Sequence, residues 1–300
     1  MKKTLLVMVF LSGVAQAEGT LYGALAMGTA LPNGGDTSDA NTSSGQDSWF
    51  ARSDAAKESQ PHWMTPIVTV TPRLEQEFRY DQLSQAKSGG VNVSNYGLNK
   101  GLELIPTMNS EIIVGIPGYQ VTNQPKGVST QGWADETLLF KYRMLSANEE
   151  NGNYIVTGFM GVSLPTGDSP LSTGHYAYTP TLAVGKGWGT RESGFDIQST
   201  LAITVPDRDM SRLGEPIVWN TAFQGHFSEY WWPELETQYT HFSGGPNNGK
   251  NQTVITPGMI LGRYELIDRL KFVIGLGYQK AVGGFQTFNN AWQLTARTPF

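Results

Sequence analysis

The side chains of this 300-residue chain that could do chemistry are few, and their spacing argues against most of it. There is no cysteine, which removes thiolate nucleophiles, thiolate metal ligands and disulfides. The four histidines, His62, His175, His226 and His241, stand at spacings unlike any metal-ligand pair. His241 and Ser243 are near in sequence, but His241 falls on the apolar parity of its segment. Ser243 opens a glycine-rich loop, and no third group orients the pair. His226 stands beside Gln224 on a polar parity and reads as a wall residue rather than a base. Glu75 and Glu77 share a strand face, yet Arg73 and Arg79 flank them. That is the pattern of a salt-bridged wall rather than an acid/base dyad. No catalytic residue, cofactor site or metal site is assigned. What remains is a set of charges that recur on one face only.

The elements that place them follow from a two-residue period. In Ile67–Tyr80 one parity carries Val68, Val70, Pro72, Leu74, Gln76, Phe78 and Tyr80, the other Thr69, Thr71, Arg73, Glu75, Glu77 and Arg79. Similar alternation recurs over 93–105, 110–119, 134–145, 153–165, 176–186, 195–205, 217–228, 231–242, 253–262, 270–280 and 291–300. Lys100 is the misfit, falling on the apolar parity of its segment. These are about twelve segments of about ten residues, the length a tilted strand needs to cross a bilayer. Long and short connections tend to alternate, as they do in bacterial barrels. The polar parity carries Arg73, Glu75, Glu77, Arg79, Glu103, Glu111, Asp135, Lys141, Arg143, Asp196, His226, Glu234, Glu236, Lys271 and Arg297. In a dry soluble core such charges would cost several kcal/mol per ion; facing a polar lumen they do not. The fold expected is all-β, a transmembrane antiparallel up-and-down β-barrel over 67–300. Arg73, Glu75, Glu77, Arg79, Lys141, Arg143, His226, Glu234 and Glu236 are its lumen-lining candidates. The two signs are interspersed, which leaves no strong ion preference.

The chain ends fit that location. Lys2-Lys3, an apolar run from Leu5 to Leu11 and Ala15-Gln16-Ala17 have the order of a cleaved secretory signal over 1–17. Losing Lys2 and Lys3 would take the formal charge from −5 to −7, and no basic patch offers a nucleic acid a footing. Residues 18–66 form an N-terminal arm. Asn33–Gln46 reads as flexible, and Asp47–Ser59 can form a short helix stopped by Pro61. Both a plug and a loose tail remain open for this arm. Mean hydropathy is only −0.29, as expected where strands show lipid every second residue. The final strand, with Trp292, Leu294, Ala296 and Phe300 on one parity, resembles the C-terminal signature read by the outer-membrane assembly machinery; Thr298 departs from it. The partners implied are outer-membrane lipid, that machinery and a small-molecule solute, in the outer membrane of a Gram-negative bacterium.

Around Gly158-Phe159-Met160-Gly161-Val162-Ser163-Leu164-Pro165-Thr166-Gly167-Asp168, followed by Tyr178-Thr179-Pro180 and Gly185-Lys186-Gly187-Trp188-Gly189, the middle third of the chain resembles the family of outer-membrane transporters named for the MetA pathway of phenol degradation. The resemblance implies an outer-membrane barrel that passes small, aromatic or hydrophobic organic compounds, and no enzyme; it assigns no site residues. The residues themselves read more modestly, with Pro165 ending a strand and Thr166-Gly167-Asp168 opening an outer loop. Beside a passive channel or transporter, two readings remain open: an outer-membrane lipid-modifying hydrolase and a structural barrel without a transport role.

Overall fold

The computed structural model of the chain describes residues 41–300. The signal expected over 1–17 and the part of the arm over 18–40 lie outside the described residues. A helix, α1 (Asn41–Glu58), comes first. It takes in Asn41–Gln46, whose composition reads as flexible. Once the turns over Trp49–Glu58 exist, each residue added in front gains a backbone bond without a new nucleus. Pro61, which has no N–H to give, follows the helix end.

Twelve antiparallel crossings make the barrel. They are β1 (Glu77–Ala86), β2 (Asn92–Gly97 continued by Gly101–Thr107), β3 (Ser110–Gly115 continued by Tyr119–Asn123) and β4 (Thr130–Trp133 continued by Glu136–Ala147). Then follow β5 (Tyr154–Leu164), β6 (Ala177–Gly189), β7 (Ser193–Ile203) and β8 (Ile217–Phe227). The last are β9 (Trp231–His241), β10 (Asn251–Ile267), β11 (Leu270–Val282) and β12 (Asn290–Pro299). Each pairs with the next, and β12 pairs with β1 from Glu77↔Pro299 to Ala86↔Asn290. Closure leaves no unpaired sheet edge, as a strand protein in lipid requires. No described helix is long and apolar enough to cross a membrane.

The period of two sorts the side chains as a bilayer would. On β9, Trp231, Leu235 and Tyr239 are exposed while Glu234 and Glu236 are buried. On β8, Trp219 and Phe227 face out while Gln224 and His226 face in. Two expectations need correction. First, Ile67–Gln76 is not strand, and β1 begins only at Glu77. Both parities of 67–76 are enclosed: Ile67 and Leu74 are fully buried, and so are Thr69 and Arg73 nearly so. Pro72 does not decide this alone, since Pro180, Pro233 and Pro257 stand inside β6, β9 and β10; with β12 already paired to β1, no sheet edge is left for 67–76 to join. Leu74 meets no lipid; it packs with Ala56 and Ile105 inside the barrel. Second, the misfit at Lys100 is a slip of register. Leu98 and Asn99 adopt left-handed backbone angles (φ 48° and 54°) and break β2, which turns Lys100 toward the interior.

Leu235 lies midway along β9 on its outward face. Leu235→Arg should cost about 2–4 kcal/mol of folding into liposomes, a mid-bilayer charge penalty. Measurement of the urea midpoint in vesicles checks this.

Candidate functional site

Residues 59–76 enter the barrel at its short-turn end, reach inward and return to the same end. The neck is closed by one side chain: Gln60 Nε2 donates to Leu74 O at 2.8 Å, and Leu74 N donates back to Gln60 Oε1 at 3.0 Å. Beyond the neck the segment has no strand partner, so its backbone groups need other partners.

The barrel wall supplies them in sequence. Arg263 donates to the carbonyls of His62 and Trp63 at 2.6 and 2.9 Å, and Gln198 to that of Met64 at 2.9 Å. Arg297 donates to the carbonyls of Thr65 and Pro66. Arg79 and Gln293 both reach the carbonyl of Ile67, at 2.8 and 2.9 Å. At the turn the polarity reverses. Glu234 accepts the N–H of Ile67 at 3.1 Å, and Glu236 accepts those of Val68 and Thr69 at 2.7 and 2.6 Å. On the way back Thr157 donates to Pro72 O, Lys141 to Arg73 O at 3.2 Å, and Glu111 accepts Glu75 N at 2.7 Å. Bonds to charged partners contribute about 1.5–3 kcal/mol each.

These contacts fix where each expected residue lies. Arg79, Lys141, Arg143, His226, Glu234 and Glu236 are on the inner face of the barrel, and Glu77 opens β1 on that face. Arg73 and Glu75 are not wall residues. They belong to the return limb, pair with each other at 2.9 Å, and Arg73 also donates to the carbonyl of Trp63. Arg79 pairs with Asp81 and Lys141 with Glu111, at 2.7 and 3.0 Å. Arg143 forms no carboxylate pair; it holds the carbonyls of Ala56 and Met108 at 2.8 and 2.5 Å, tying helix to turn. His226 stacks on Trp232 (centroids 4.4 Å apart) and its Nε2 meets Thr190 O at 2.8 Å. Asp135 leaves the wall set: it sits in the break of β4 and accepts the N–H groups of Gly167 and Thr173.

Several participants were not among the lumen-lining candidates: Gln198 and Gln293, although both fall on polar parities, Arg263, and the apolar filling of Trp63, Met64 and Ile67. These last pack against Ile155, Trp232 and Ile260. Arg263 falls on the outward parity of β10, but a bulge with φ 64° turns it inward; a lone arginine on an apolar stripe is the signal of that bulge. The filling also left a trace in the glycines. A Cβ at Gly187 would lie 2.4 Å from Trp63 Nε1, and one at Gly258 would lie 2.7 Å from Ile67 Cδ1. Glycine at these inward positions leaves room for side chains of the luminal segment.

At the short-turn end His62 anchors the entering limb. Its ring nitrogens lie 2.8 Å from Glu149 and 2.8 Å from Glu58, and its N–H donates to Glu149 at 2.6 Å. Burial pushes the Glu149 carboxyl up, but the hydrogen bonds from His62 outweigh it and bring it down to about 2. Arg191 holds Glu58 at 2.8 Å and lowers its carboxyl too.

Two cavities flank the segment and share Thr65 as a wall. One, of 610 Å³, opens at the short-turn end beside Lys57, His62, Arg73 and Arg269. The other, of 230 Å³, lies beside Val70 and Thr71 at the segment's tip and is lined by Arg79, Lys100, Glu103 and Lys141. Elsewhere, His241 Nδ1 meets Asn251 at 2.7 Å rather than Ser243, and His175 lies between Asp207 and Asp209 at 3.6 and 4.0 Å. The Leu164–Asp168 motif acts as a clamp. Thr166 accepts the N–H of Glu136 at 3.0 Å and Asp168 that of Trp133 at 2.8 Å, on both sides of the break in β4.

Solved structures share this architecture. The COG4313 outer membrane channel from Pseudomonas putida F1 superposes with a TM-score of 0.50 at 12% identity, over 76% of this chain and 96% of that one. The NanC porin gives 0.45 at 11% identity, over 74% and 98%. A loop L8 deletion mutant of OmpT, an outer membrane protein of Vibrio cholerae, gives 0.33 at 8% identity, over 75% and 97%. At these identities the likeness is one of fold, that of outer-membrane barrels. No family model and no curated protein matches the chain, so the resemblance of residues 158–189 to the MetA-pathway family gains nothing from those comparisons.

The lowered Glu149 carboxyl stabilises the fastening of His62 fully above the usual 4.5, and this is lost as the pH falls towards about 2. Trp63 fluorescence should change across that window in the wild type, and the Glu149→Gln variant should lack this component. A Cβ at Gly167 would lie 2.7 Å from the Ala134 carbonyl carbon. Gly167→Ala should therefore cost about 1–3 kcal/mol, read as a lower midpoint of heat-induced gel shift.

Proposed function

We propose that the chain is an outer-membrane channel through which a small organic solute passes passively, closed in the described conformation by residues 59–76. The observation that carries this reading is how the luminal segment is fastened. Its backbone is held by wall side chains, one or two bonds at a time, and not by a cooperative strand ladder. Water entering the lumen can replace such bonds singly, whereas a ladder must be broken as a unit. The polar interior and the cavities on both sides of the segment supply the rest of a path. Aromatic or hydrophobic solutes are the class that the resemblance over residues 158–189 supports. In this reading the protein is exported by its cleaved leader, assembled through its Phe300 end and surrounded by outer-membrane lipid.

Glu236 bonds two N–H groups at the tip. Its removal leaves both bare, at about 1–3 kcal/mol each, which weakens the closed state. Purified protein in planar bilayers should therefore conduct rarely as wild type and for a larger fraction of the time as Glu236→Ala. Liposome swelling with sugars, amino acids and phenolics should follow the same order. No conductance and no permeation of any class by either protein would rule the channel out.

A further inference from the structure

Four charged side chains line the 230 Å³ cavity, and two of them are committed. Asp81 takes Arg79 in a bidentate pair at 3.0 and 2.7 Å, and Glu111 takes Lys141 at 3.0 Å. Lys100 and Glu103 remain. Among the described residues neither side chain has an ion pair or a hydrogen bond, although both border the cavity and Glu103 is only 3% exposed. The residue paired with Glu103 on β1 is Glu77, a like charge that cannot serve it. A buried carboxylate without a hydrogen-bond or ion-pair partner is costly, and the Lys100 ammonium, which attracts Asp81 and Glu103 only from beyond ion-pair distance, does not supply one. The hydroxyl-bearing Ser163 and Thr137 border the same space, and Ile113 and Leu139 give it an apolar side. The volume is below the about 300–1,000 Å³ of drug-sized sites, so the occupant is small.

We propose that this cavity binds a zwitterionic solute of the α-amino acid class, with its carboxylate on Lys100, its ammonium on Glu103 and its apolar side chain against Ile113 and Leu139. The proposal rests on the channel reading and names a solute for it. A molecule with both charges satisfies both orphaned groups at once, which neither a neutral phenol nor a simple organic acid does. The break at Leu98–Asn99 has a use here, because it brings Lys100 to the same face as Glu103.

Titration calorimetry on the full-length protein in detergent, with leucine, leucinamide and 4-methylpentanoate, tests this. Leucine is expected to bind, and each analogue, lacking one charge, to bind at least about tenfold more weakly. Lys100→Met should bring leucine down to the level of leucinamide, and Glu103→Gln to that of 4-methylpentanoate. The wild-type ligand series decides by itself if either variant fails to fold. Equal affinity for the three, or 4-methylpentanoate binding as tightly as leucine, would overturn the zwitterion site. So would the absence of all binding in a protein that conducts ions in planar bilayers, and in that case the channel stands. Absence of both conductance and permeation in wild type and Glu236→Ala would remove the channel, and leucine binding would then remain as a site without a path.

Discussion

A polypeptide inside a barrel must still satisfy its own backbone. Residues 62–76 have peptide groups on all sides and no neighbouring strand, and an unpaired buried N–H or carbonyl costs as much as a lost hydrogen bond. The inner wall is organised around that need. Arginines and glutamines stand where the entering limb shows carbonyls, and Glu234 and Glu236 stand where the turn shows N–H groups. The sign of each wall residue that bonds the segment thus follows the end of the peptide dipole it meets.

The charges also have to be compatible with enclosure. Arg73 with Glu75, Arg79 with Asp81 and Lys141 with Glu111 form short ion pairs, and several of these groups hold the segment's backbone with their remaining donors and acceptors. A pair that is hydrogen-bonded all round offsets the cost of desolvation that a bare charge would not. The same arrangement makes the closure reversible in principle. Water can take the place of a side-chain bond, while the ladder from β12 to β1 stays intact.

Likeness to the COG4313 outer membrane channel is one of fold, extending to the barrel and stopping there. Even the motif that resembles a transporter family has a local structural role, since Thr166 and Asp168 tether the β5–β6 loop across the break in β4. Gly167 is required at its centre because two chains come together there, not because it contacts a solute. Outward-facing aromatics such as Trp219, Trp231 and Trp292 do the corresponding work on the lipid side.

The sequence by itself determined the barrel. A two-residue period survives in any local context, so eleven of the expected crossings coincide with strands, and residues such as Glu234, Glu236 and Lys141 were legible as inward-facing from parity alone. The first expected crossing failed because Ile67–Gln76 has the same period for a different reason. Its apolar parity fills the lumen beside Trp63 and Trp232, and its polar parity bonds the wall. Alternation records that two faces differ, but it does not say what each one touches. Pro72 was no hint against a strand, since Pro180, Pro233 and Pro257 stand inside strands, and only the inward glycines at 187 and 258 hinted at an occupant. Only the tertiary structure could join them, because the partners of a luminal segment lie on strands up to 232 residues away in the chain, as Arg297 does from Thr65. Backbone turns at Leu98–Asn99 and Arg263 likewise overruled parity at the positions where an inward charge was needed.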